Sequence, residues 1–131
     1  MAIIANMTIA DGAATPVNHT FTAKGVLNGV AKWKDQVSGV ELGMPTITAS
    51  IRESTKTNPM TKVTIKLRLP ALETDPSFLV PTLAYEDSCT IEFLTHTRDT
   101  LQNRDDLQTF VYNMLNQSAM IALVKDREVI W

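Results

Sequence analysis

Apolar and polar residues alternate strictly in two stretches of the chain. In Thr46–Arg52, Ile47, Ala49 and Ile51 point one way and Thr46, Thr48, Ser50 and Arg52 the other. Lys62–Leu69 repeats the pattern, with Val63, Ile65, Leu67 and Leu69 against Lys62, Thr64, Lys66 and Arg68. A period of two predicts strands with one face packed and the other wet or occupied by a ligand. Pro70 cannot donate to a ladder and is expected to end the second strand, leaving Ala71–Pro81 as a loop. Upstream, Ala2–Ala10 and Val17–Ala23 alternate more weakly around Asp11-Gly12, which predicts a hairpin. Asn28–Lys34 is a further strand, with Ala31 and Trp33 opposite Val30, Lys32 and Lys34. Ala84–His96 is another, with Cys89, Ile91 and Phe93 opposite Thr90 and Glu92.

The C-terminal third changes period. Leu107, Phe110, Val111, Met114 and Leu115 recur at helical spacing, with Asn103 placed to cap the helix and Asp105 and Asp106 suited to its positive end. Asn116-Gln117-Ser118 reads as a break, and Ser118 as the cap of a short second helix through about Lys125. Strands first and helices last is an α+β order, in which the helices cover the apolar face of the sheet and leave its polar face free.

Composition adds limits. At 131 residues and 44% apolar, the chain is long enough for one domain with a core, over residues 1–131, and no linker or repeat divides it. No apolar run approaches the roughly 18 residues of a membrane span, and the N-terminus lacks a signal-peptide layout. The single Cys89 cannot form an internal disulfide, which fits a cytosolic protein. The net charge of −2 conceals a division: residues 24–68 hold eight bases and three acids, and residues 69–131 four bases and ten acids. Either an anionic partner for the middle region or pairing between the halves accounts for it.

No catalytic constellation is present. His19 and His96 lie far apart without motif partners and read as ordinary polar strand residues, and Glu86, Asp87 and Glu92 as a solvated strand end. There is no metal-ligand spacing, P-loop or dinucleotide turn, so no metal or cofactor is expected. What remains is the free sheet face, where Lys32, Lys34, Arg52, Lys62, Lys66 and Arg68 surround Thr46, Thr48, Ser50 and Thr64. Cations neutralise phosphates, hydroxyls bond to bases or the 2′-OH, and Tyr85 is a candidate for stacking on an unpaired base, so RNA is the expected partner. A plain solvated face has the same pattern.

The segments NGVAKW (Asn28–Trp33), TITASIR (Thr46–Arg52), VTIKLRLP (Val63–Pro70) and AYED (Ala84–Asp87), in this order and followed by helices and the aromatic Trp131, resemble the coat proteins of single-stranded RNA bacteriophages of the levivirus type. The resemblance covers nearly the whole chain. It implies a five-stranded antiparallel sheet beyond an N-terminal β-hairpin, with two C-terminal helices packed on the sheet of an intertwined homodimer. It implies assembly of dimers into an icosahedral shell, within the bacterial host's cytoplasm, around genomic RNA, and repression of replicase translation through one RNA hairpin. Its RNA-contact positions fall on Val30, Thr48, Ser50, Arg52, Thr64, Lys66 and Arg68, all on the polar face given by alternation, beside Lys32 and Lys34.

Two departures stand out. The segment from Pro70 to Tyr85 is shorter than in the best-known members of that family. The family also presents a Tyr, and an Asn or Asp two residues later, to RNA, whereas alternation here puts Tyr85 and Asp87 with Cys89 on the apolar face. A β-bulge near Asp87–Ser88 is expected to bring Tyr85 and Asp87 to the RNA and so into the binding set; without it Glu86 and Ser88 face the RNA instead. Competing readings are a dimeric RNA-binding regulator that forms no shell, and a small enzyme using His19, His96 or Cys89.

Overall fold

A computed structural model describes residues 3–77 and 79–130. Ala2 and Trp131, which figured in the sequence reading, and Phe78 within the expected loop lie outside the described residues. The chain divides into two compact units, one ending at Leu94 and one starting at Thr95.

The first unit is a sheet of six strands in sequence order: β1 (Met7–Ala10), β2 (Asn18–Leu27), β3 (Val30–Lys34), β4 (Thr46–Arg52), β5 (Met60–Thr74) and β6 (Pro81–His96). The alternation pattern gives these same six. β2 belongs to both the hairpin and the main sheet, pairing with β1 on one side and with β3 on the other, so hairpin and sheet merge into one sheet of six strands. Pro70 does not end its strand, and β5 runs through it to Thr74. The β4 ladder stops at Thr46↔Arg68, so beyond Arg68 that side of β5 has no β4 partner. Proline is tolerated where no ladder donor is required. The expected loop shrinks accordingly to the residues between Thr74 and Pro81.

Asn28-Gly29 forms a tight turn with φ of 53° and 77°, both positive as a two-residue hairpin of this hand demands. The strand expected from Asn28 therefore begins at Val30. A register shift between Ala23 and Val26, at Gly25, bends β2. A single helical turn at Glu41–Gly43 packs closely, with Gly43 against the Leu72 side chain. Among the described residues, Phe21, Met44 and Ile47 are the buried apolar ones.

The second unit holds α1 (Leu101–Leu115) and α2 (Ser118–Lys125). Thr100, not Asn103, caps α1: its hydroxyl accepts the Asn103 N–H at 3.2 Å. A cap bonds the amide three positions on, and Asn103 occupies that donor position. Arg104 pairs with Asp99 just before the helix. Gln117 occupies the cap of α2 without a side-chain capping bond, and Ser118 is the first residue inside. Neither helix buries a residue in the single chain; Phe110 and Val124 are 69% and 77% exposed.

Candidate nucleic-acid interface

Cross-strand pairing turns the polar faces of β3, β4 and β5 into rows. Lys32 stands opposite Thr48, and Thr48 opposite Lys66. The next row is Val30, Ser50 and Thr64, and on the other side lie Lys34, Thr46 and Arg68. Arg52 faces Lys62 at the end of the patch. Nine residues expected at the site (Val30, Lys32, Lys34, Thr48, Ser50, Arg52, Thr64, Lys66 and Arg68) thus share one face in register. Residues this close in a row lie within reach of one another's side chains.

The rows are chemically unequal. Thr46 is buried and donates its hydroxyl to the Met44 carbonyl at 3.1 Å, so it is part of the scaffold. Lys34 pairs with Glu41, and its side chain is only 12% exposed. Burial, and next the charges of Lys32, Lys24 and Arg68, push its pKa below the usual lysine value. Lys24, on β2, thereby joins the basic cluster, a neighbour that alternation within single strands could not reveal. Thr48, Ser50 and Thr64 are half-buried and Lys32, Arg52 and Lys66 exposed. The centre of the face is a hydroxyl patch between two outward lysines.

β6 contributes through its even-numbered residues. Lys62 Nζ lies 3.0 Å from Glu92 Oε1, and Arg68 Nε lies 2.8 Å from Glu86 Oε2. The latter is an ion pair without good hydrogen-bond direction, leaving Nε otherwise unpartnered among the described residues. The partners are six residues apart on both strands, in opposite directions, so the register runs from residue 86 to 92 without a step. Glu86, Ser88, Thr90 and Glu92 therefore continue the basic face. Asp87, Ser88 and Cys89 line one small cavity with Leu67 and Leu69, and Tyr85 shares the parity of Asp87 and Cys89. The spacing of the two ion pairs is that of a strand without the bulge that would bring Tyr85 and Asp87 to the polar face. Glu86 and Glu92, read from sequence as solvated acids, are paired instead.

His19, also read as an ordinary strand residue, joins three segments: Nδ1 is 2.8 Å from Asp35 Oδ2 and Nε2 is 3.0 Å from Asp11 Oδ2. His96 Nδ1 accepts the Arg98 N–H at 3.0 Å in a local turn, and Cys89 is an exposed free thiol. Among the described residues, no group of acids, histidines and cysteine is arranged to hold a metal.

A family model described as levivirus coat protein matches residues 2–131. A curated capsid protein of Pseudomonas phage PRR1 is 25% identical over 118 residues, covering 88% of this chain and 88% of that protein. Among solved structures, the virus-like particle of bacteriophage ESE058 matches with a TM-score of 0.90 at 27% identity, covering 99% of this chain and 100% of its own. The virus-like particle of bacteriophage NT-214 matches with a TM-score of 0.88 at 28% identity, again over 99% of this chain and 100% of its own.

Proposed function

The chain belongs to the levivirus coat protein family, and we propose that it encloses its RNA genome as a shell of dimers and binds one RNA hairpin on the polar sheet face, repressing translation of the replicase. It is a structural capsid protein, not an enzyme, and its place is the virion.

The observation that carries RNA binding is the row Lys32–Thr48–Lys66 beside Val30–Ser50–Thr64. The lysines meet phosphates on either side. The hydroxyls between them have the donor and acceptor capacity to bond the edge of an unpaired base, and the Val30 side chain supplies an apolar contact. A hairpin loop presents such splayed bases, whereas an A-form duplex hides them in a groove too narrow for side chains.

The open edge of the sheet supports dimerisation. β6 is its last strand, sixteen residues long, with one ladder side open. An uncovered edge of this length pairs with another strand, and a second copy supplies an identical one. The helices carry Phe110, Met114, Leu115 and Ile121 exposed in the single chain, apolar surface that a second copy can bury.

Expression of the chain alone tests the proposal. The expected product is a particle of shell size with the absorbance ratio of packaged RNA, from which one hairpin family is enriched out of a random pool. A stable small dimer free of nucleic acid overturns it.

A further inference from the structure

Resting on the RNA-face reading above, we infer that Glu86 and Glu92 are specificity-determining residues: their ion pairs withhold Arg68 and Lys62 from RNA phosphates and leave Lys32, Lys66 and Arg52, with Lys24 on the β2 side, to meet them.

Both acids sit on β6 with their side chains on the face that would meet RNA. Both pairs are partly open to solvent, the side chains being 33% and 45% exposed for Lys62 and Glu92, and 41% and 34% for Arg68 and Glu86. Ion pairs this accessible add little to stability, so the fold does not explain them. Their effect on a polyanion is direct. A phosphate that takes Lys62 or Arg68 must displace a carboxylate already there and bring its own charge beside it. Among the described residues no carboxylate pairs with Lys32, Arg52 or Lys66.

The consequence is one favoured register. With all the cations free, an RNA strand could lie across the sheet in many positions, held by phosphate contacts that carry no sequence information. With Lys62 and Arg68 occupied, the unpaired cations directly beside the hydroxyls are Lys32 and Lys66, and both flank Thr48. An RNA held there has its bases over Thr48, Ser50 and Thr64. The acids work against wrong partners rather than for the right one.

The test replaces each acid by its neutral isostere, Glu86→Gln, Glu92→Gln and both, in the full-length chain below its assembly concentration. Two probes are titrated across a range of salt: a short oligouridine, and a hairpin selected by the unmodified protein from a random-loop pool. Each single variant is expected to bind oligouridine about fivefold more tightly near physiological salt, and to steepen the log–log salt slope by about 0.7, the contribution of one freed cation on single-stranded RNA. The preference for the selected hairpin over oligouridine falls, most in the double variant. Asp105→Asn, the same charge change on an exposed helical residue, leaves both slopes unchanged.

If the Glu variants match the unmodified protein while Lys66→Ala flattens the slope, the inference fails and the RNA face stands. Should Lys66→Ala also change nothing, the RNA-face reading fails and takes the inference with it. Equal tightening by Asp105→Asn would assign the effect to net charge and overturn the role of the pairs.

Discussion

His19 and Asp35 meet at 2.8 Å although sixteen residues separate them, and Asp35 is only 3% exposed. Asp11 takes the other ring nitrogen, so the pair clasps the N-terminal hairpin to the segment after β3. A cavity of about 280 Å³ lined by Ile9, Phe21, Ile47, Leu67 and Leu69 lies beside the clasp. A neutral imidazole has one N–H and satisfies one carboxylate; the imidazolium satisfies both. The bonds to Asp11 and then Asp35 accordingly raise the His19 pKa above 6.5. Its stabilising contribution is complete below that ordinary value and is lost as pH rises through the folded one. Asp11 is held at about 2, first by the Val17 N–H and then by His19, so its contribution is present above 3.8 and lost as pH falls through about 2. The hairpin is expected to be most protected from hydrogen exchange between these limits and to loosen as pH rises past the raised His19 value. His19→Ala should abolish the alkaline dependence; persistence of that dependence would remove His19 from the clasp.

Gly43 and Leu72 set a second expectation. A Cβ on Gly43 would stand 2.7 Å from Leu72 Cγ, too close to accept without movement. Gly43→Ala is expected to cost about 1–3 kcal/mol through overpacking. Leu72→Ala opens the space, so the double variant should be less destabilised than the sum of the singles. Urea unfolding of all three measures this, and strict additivity would show that the clash is relieved elsewhere.

Strand parity was legible wherever a strand alternated cleanly, and it placed nine candidate residues on one face before any pairing was known. It says nothing about which strand lies beside which, so the partners of Glu86, Glu92 and Lys24 were hidden. Pro70 misled because its meaning depends on whether β4 still runs alongside, a tertiary fact. His19 was missed for a similar reason: its carboxylates come from a turn and from the end of β3, and no local motif links them. At Thr100 the signal was present, a hydroxyl three residues before Asn103, and the more prominent Asn obscured it.

The last strand yields a sharp contrast. Tyr85 shares the parity of Asp87 and Cys89, while Ser88 shares that of Glu86 and Glu92, the acids paired with Arg68 and Lys62. Ser88→Arg is expected to tighten RNA binding and steepen its salt dependence by about 0.7, whereas Tyr85→Ala should leave hairpin affinity within about twofold, a change too small for a lost base stack. A large affinity loss on Tyr85→Ala would instead support the bulged register.

Thr48 and Lys66, directly opposed on β4 and β5, should fail in different ways. Lys66 is exposed and acts as a point charge, so Lys66→Ala is expected to weaken binding of all RNAs alike and lower the salt slope by about 0.7. Thr48 is half-buried and uncharged, so its removal cannot change the counterions released. It can only remove a hydrogen bond to a base, whose loss costs about 0.5–1.5 kcal/mol when neutral groups are involved. Thr48→Ala should therefore reduce affinity for the selected hairpin by roughly two- to tenfold at every salt concentration and leave oligouridine binding unchanged. Equal losses on both probes would make Thr48 a general backbone contact, and a changed slope would show that its substitution had displaced Lys66.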